Sequence, residues 1–167
     1  MTVKVGDKAP NVDVMIATAD GPQKASTQDL LGKGKVALFS VPGAFTPTCS
    51  ARHLPGFVEK ADQLKAKGVD KIVCMSVNDA FVMKAWGEAQ NALGKIEMLA
   101  DGNGDFSRAL GLTFDGKGFG MGERGQRFAA VLEDGVILKS QACLVAARKE
   151  HSPGDAEVLE AVTRRFA

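Results

Sequence analysis

The chain has 167 residues, enough for one domain with a full hydrophobic core, and its 45% hydrophobic and 25% charged content is that of an ordinary globular protein. A net charge of +1 offers little to nucleic acid or to an anionic membrane surface. No apolar run approaches membrane-spanning length, the N-terminus lacks a charged-then-apolar signal pattern, and three widely spaced cysteines do not make a secreted disulfide framework, so a single domain over residues 1–167 in a reducing cytoplasm is the expectation.

Val3 to Pro10 reads as an exposed lead-in with turn signals at Gly6-Asp7 and Ala9-Pro10. Val12, Val14 and Ile16 alternate as in a strand, and Asp20-Gly21-Pro22 turns the chain into a short return strand. Ser26 is placed to cap a helical turn over Thr27 to Leu31. Val36 to Val41 is an apolar run interrupted only by Ser40 and reads as a buried strand, and Pro42-Gly43 ends it. From Leu54 the apolar residues recur at Phe57, Val58, Ala61 and Leu64, which is helical spacing, and Gly68 stops that helix near Lys67. Pro55 lies inside it and crowds the carbonyl of Ala51, so a kink is expected.

Lys71 to Val77 reads as a second buried parallel strand, and Asn78 or Asp79 caps a helix whose Val82, Trp86 and Ala89 share one face. A strand over Ile96 to Ala100, a turn over Asp101 to Asp105 and a short helix over Phe106 to Leu110 follow. Gly111 to Gly125 reads as a glycine-rich loop. Within it, Gly120-Met-Gly122-Glu-Arg-Gly125 imitates a dinucleotide-binding fingerprint, but no helix follows it, because Arg127 to Leu132 has strand character. Asp134-Gly135 turns that strand into an antiparallel return over Val136 to Leu144, and Asp155 to Phe166 is an amphipathic closing helix. Strands alternating with helices, then a hairpin and a last helix, indicate a three-layer α/β domain.

The informative stretch is Pro42-Gly-Ala-Phe-Thr-Pro-Thr-Cys-Ser50. Thr46 suits a helix N-cap and Pro47 the first helical position, which puts Cys49 in the first turn. Unpaired N–H groups and the positive end of the helix dipole favour an anion there, so the surroundings favour a reactive thiolate over an inert buried thiol.

Pro42-x-x-x-Thr46-x-x-Cys49 resembles the active-site signature of the peroxiredoxins. With His53-Leu54-Pro55-Gly56-Phe57 after it, the stretch resembles the type-five subfamily, which includes the plant type II enzymes. Ser76 to Trp86, Leu99-Ala-Asp-Gly102 and Arg127-Phe128-Ala129 are further matching blocks. The resemblance implies a thioredoxin-like three-layer sandwich with a central mixed sheet. It also implies a thiol-dependent peroxidase that acts on hydrogen peroxide and alkyl hydroperoxides through a sulfenic acid at Cys49, without cofactor or metal. Thr46 would touch the sulfur and a peroxide oxygen, Pro42 would shield the sulfur, and Arg127 would supply the positive charge, with Arg124 as the fallback. A homodimer formed through a face near the active-site loops is implied as well.

Regeneration of Cys49 is less direct. Cys74 stands in an apolar strand and reads either as core or, by resemblance to the plant enzymes, as a candidate resolving cysteine. The C-terminal resolving position of other type-five members falls near Ser152, so Cys143 does not inherit that role. An external reductant is therefore expected, either glutathione with glutaredoxin or thioredoxin. His53, one turn after Cys49, is a candidate supporting residue, and with only His151 as a further histidine a metal site is not expected. Phe45, Phe119 and Phe128 are candidates for lining a peroxide pocket. Two other functions use the same thiol. A redox sensor that passes oxidation to a partner would also rely on Cys49, whereas a thiol–disulfide oxidoreductase would need a cysteine where Thr46 stands.

Overall fold

The computed structural model of the chain describes residues 2–47 and 54–143. Its elements run β1 (Asp13–Thr18), β2 (Gly21–Ser26), α1 (Thr27–Leu31), β3 (Lys35–Ser40), α2 (Leu54–Ala66), β4 (Lys71–Ser76), α3 (Ala80–Ala89), β5 (Glu97–Ala100), α4 (Asp105–Leu110), β6 (Thr113–Asp115), β7 (Glu123–Gly125), β8 (Arg127–Glu133) and β9 (Val136–Cys143). Seven strands form one mixed sheet in the order β2-β1-β5-β4-β3-β8-β9. β3, β4 and β5 are parallel, while β1 and β8 close onto them antiparallel.

Strand alternation divides the core in two. Ala37, Phe39, Ile72, Cys74, Ala129 and Val131 face one cluster with α2 and α3, whereas Val36, Leu38, Val73, Met75, Phe128 and Ala130 face another with α1 and α4. This is the expected thioredoxin-like arrangement, with helices on both faces of a mixed sheet. α2 is seated by Phe57, whose ring stacks on Phe39 of β3 at a centroid distance of 3.9 Å and an interplanar angle of 6°. Both rings are essentially inaccessible to solvent.

Local rules account for several junctions. Ser26 caps α1 in a complete capping box with Asp29, and Asp79, not Asn78, caps α3 by accepting from the Val82 N–H. Asp134 (φ 49°) and Gly135 (φ 81°) both take the left-handed conformation that a two-residue hairpin turn requires.

The lead-in is largely exposed, as expected, and is also tied to the fold: Val3 and Ala9 donate to the carbonyls of Leu110 and Gly135, and Lys8 bridges to Val136. Two expectations need correction. The buried face of α3 is Ala80, Met83, Trp86 and Gly87, because Ala89 is exposed and Val82 only half-buried. Residues 111–125 are not a plain loop but the β6–β7 hairpin around a short 3₁₀ turn over Lys117–Phe119. The kink at Pro55 and the helix over Asp155 to Phe166 involve residues outside those described.

Truncating Phe57 removes the stack and leaves a cavity under α2. Phe57→Ala is expected to cost about 3–5 kcal/mol, read from the shift of the denaturant midpoint at constant slope.

Candidate active site

Three chain segments meet where β3 and β4 end and β8 begins. Ser40, the last residue of β3, pairs with Met75 of β4 on one side and with Phe128 of β8 on the other. Arg127 therefore stands beside the point at which the loop Val41–Pro47 leaves the sheet. Alternation with Phe128 turns its side chain to the α2 face, and it is only 7% exposed. A guanidinium so deeply buried is held in place rather than sampling solvent.

The loop itself is a tight turn. The Thr46 N–H and hydroxyl both donate to the Gly43 carbonyl, at 3.4 and 2.7 Å. Phe45, third in that turn, takes φ 61°, a conformation that glycine or asparagine usually fills. Pro42 is half-buried at the head of the turn, and Pro47 is already helical, as expected for a first-turn proline. A β-carbon on Gly43 would lie 3.1 Å from Thr46 Cγ2 and 3.4 Å from both Arg124 Nη1 and Met121 Cε, so main chain and side chains are in close contact there.

Arg124 reaches this loop from the β6–β7 hairpin. Its Nε donates to the Met121 carbonyl at 2.9 Å and its Nη1 to the Val77 carbonyl at 3.0 Å. The hairpin is tied to α4 by Arg108, which donates to Glu123 and Asp105. Those hydrogen bonds, Glu123 first, raise the Arg108 pKa above its already high ordinary value, so the guanidinium stays charged. Beneath the site, the buried Asp101 carboxylate accepts from the N–H groups of Phe106 and Ser107 and from the Ser107 hydroxyl.

The structure thus brings Pro42, Thr46, Arg124 and Arg127 to one end of the sheet. Cys49 and His53 lie outside the described residues. Cys74 lies in mid-β4, opposite Phe39 and Met98, with no exposed surface. Cys143 ends β9 in register with Arg127. The three phenylalanines do not form one pocket. Phe45 and Phe119 are exposed, whereas Phe128 lies in the core and borders an apolar cavity of about 60 Å³ with Leu38 and Leu110. Among the described residues no group of three histidine, cysteine or acidic side chains is placed to hold a metal ion. Asn78 is offered by the sequence pattern only as an alternative to Asp79 for the cap of α3. Its side chain instead accepts the Ala44 N–H at 2.9 Å, a contact across 34 residues that local pattern does not encode.

Comparison with known proteins gives the family of the chain. Residues 4–153 match the profile of the Redoxin family. Over 133 residues the chain is 50% identical to Peroxiredoxin-2B of Arabidopsis thaliana, covering 79% of this chain and 82% of that protein. The crystal structure of reduced Prx3 from Vibrio vulnificus in complex with hydrogen peroxide is 49% identical and superposes with a TM-score of 0.85, over 96% of this chain and 99% of that one. Peroxiredoxin 5 from Alvinella pompejana is 33% identical with a TM-score of 0.80, over 97% and 99%.

The close approach at Gly43 carries its own test. Gly43→Ala is expected to displace Thr46 by a few tenths of an ångström and to cost about 1 kcal/mol, measured by denaturant unfolding and a structure of the variant.

Proposed function

The chain belongs to the Redoxin family and is a peroxiredoxin, a thiol-dependent peroxidase, and on that premise we propose that Cys49 is its peroxidatic cysteine, with Thr46, Arg127 and Pro42 completing the site. The observation that carries this reading is the Thr46 hydroxyl. Its one hydrogen is committed to the Gly43 carbonyl, so its lone pairs are available to accept from a bound hydroperoxide. The Cys49 thiolate attacks one peroxide oxygen, the S–O bond forms as the O–O bond breaks, and the departing hydroxide or alkoxide takes a proton to leave as water or alcohol. Cys49 is thereby oxidised to a sulfenic acid and the peroxide reduced. Arg127 stabilises both the thiolate and the charge developing on the leaving oxygen, Pro42 keeps water from the sulfur, and His53 and Arg124 support the arrangement.

An external thiol then restores the enzyme. One thiol condenses with the sulfenic acid to a mixed disulfide and water, and a second releases Cys49 and leaves as the disulfide. Glutathione with glutaredoxin, or thioredoxin, supplies those thiols, and the burial of Cys74 in mid-strand supports this over an internal resolving step. Dependence on a reduced-thiol pool fits a cytoplasmic enzyme. Exposed Phe45, Phe81 and Phe119, on the loop after β3, the start of α3 and the turn between β6 and β7, support a homodimer formed through a face near the active-site loops.

One equivalent of hydrogen peroxide with a sulfenic-acid trap is expected to give a single adduct at Cys49 by intact mass, and an unchanged mass would overturn the assignment. Thr46→Val is expected to slow peroxide reduction about 100-fold with the fold intact. Arg127→Ala removes a cation from beside the thiolate, so the Cys49 pKa should rise, as read from the pH dependence of alkylation. The same rise with Arg124→Ala instead would transfer the role to that residue. Phe81→Glu is expected to convert a dimer to monomer in sedimentation velocity.

A further inference from the structure

We propose that Asn78 is a positioning residue for peroxide reduction, setting the place of the Thr46 hydroxyl through the backbone of Ala44. The inference rests on the reading of Thr46 given above. A backbone N–H can only donate, so the 2.9 Å contact from Ala44 fixes the Asn78 amide with its oxygen towards the loop. The same oxygen accepts the Ser76 hydroxyl at 2.6 Å. Ser76 is fully buried at the end of β4, paired with Ala100 of β5, and its carbonyl accepts the Asp101 N–H. A continuous path of hydrogen bonds therefore runs from the sheet through Ser76 and Asn78 to Ala44, inside the Gly43–Thr46 turn.

That turn needs an outside tie. Phe45 holds φ 61° at a cost that the two bonds from the Thr46 N–H and hydroxyl to the Gly43 carbonyl must offset, and Phe45 is exposed, so little packing secures it. Asn78 supplies the tie on one side, and on the other Arg124 donates to the Val77 carbonyl while lying against Gly43. Two consecutive residues after β4 thus fix both the loop and the neighbouring cation. A small displacement of the loop moves the Thr46 oxygen relative to the peroxide but leaves the thiol itself free to react with electrophiles that need no such contact.

The test compares rate constants for hydrogen peroxide and for iodoacetamide in the full chain. Asn78→Ala is expected to lower the ratio of peroxide to iodoacetamide rate about tenfold, whereas Asn78→Asp, which keeps an acceptor oxygen, preserves the ratio. In a Thr46→Val background the further effect of Asn78→Ala should shrink to about twofold or less, since both changes act through one hydroxyl. If Asn78→Ala does not fold, Asn78→Ser, too short to reach Ala44, takes its place with the same expected readings. An unmoved ratio, or full additivity with Thr46→Val, overturns the proposal while leaving the role of Thr46 intact. A normal peroxide rate in Thr46→Val alone would instead remove the reading on which it rests.

Discussion

Everything at the site is referred to one constraint, the burial of β3 on both faces of the sheet. Its side chains alternate between two cores, and β4 and β8 occupy both of its hydrogen-bonding edges. A slip of one residue would exchange Phe39 and Leu38 between clusters of different shape, so the register is strongly determined. The strand's last residue is consequently a fixed point in space. The loop after it, the start of β8 and the turn after β4 are placed relative to that point, and the Phe39–Phe57 stack fixes the helix that returns from the loop.

Polar contacts then carry this rigidity into a segment that has little apolar packing of its own. Val41–Pro47 offers the core mainly Val41, while Phe45 faces solvent. The loop is held by hydrogen bonds from three separate sources: its own turn, the Asn78 side chain, and the Met75 carbonyl of β4, which accepts the Val41 N–H. Each tie contributes modestly in the presence of water, about 0.5–1.5 kcal/mol net, so their function is to select one conformation rather than to stabilise the domain as a whole. Placing a functional loop at the carboxyl end of parallel strands follows the general rule for open α/β sheets.

The two arginines show how differently one residue type is used. Arg127 enters from the first position of β8, so the register of a regular strand of the main sheet sets where it stands. Arg124 enters from a hairpin that is not part of the main sheet, and it depends on the Arg108–Glu123 tie and on the Val77 carbonyl for its position. Sequence spacing makes them neighbours, whereas their mechanical support comes from different parts of the molecule.

The sequence by itself determined the layer architecture, nearly every strand and the identity of the reactive stretch. Those follow from period-two and period-3.6 apolar patterns, from cap residues such as Ser26 and Asp79, and from a motif contiguous in the chain. The false dinucleotide fingerprint over Gly120–Gly125 was also recognisable, because a motif requires its flanking elements. Only tertiary structure decided which face of α3 is buried, that Gly111–Gly125 contains a hairpin, and that Phe128 belongs to the core while Phe45 and Phe119 do not. It alone showed Asn78 bound to Ala44 and Arg124 to Val77. Such contacts join residues 34 and 47 positions apart, and their energy depends on which strands become neighbours, which no local window of sequence contains.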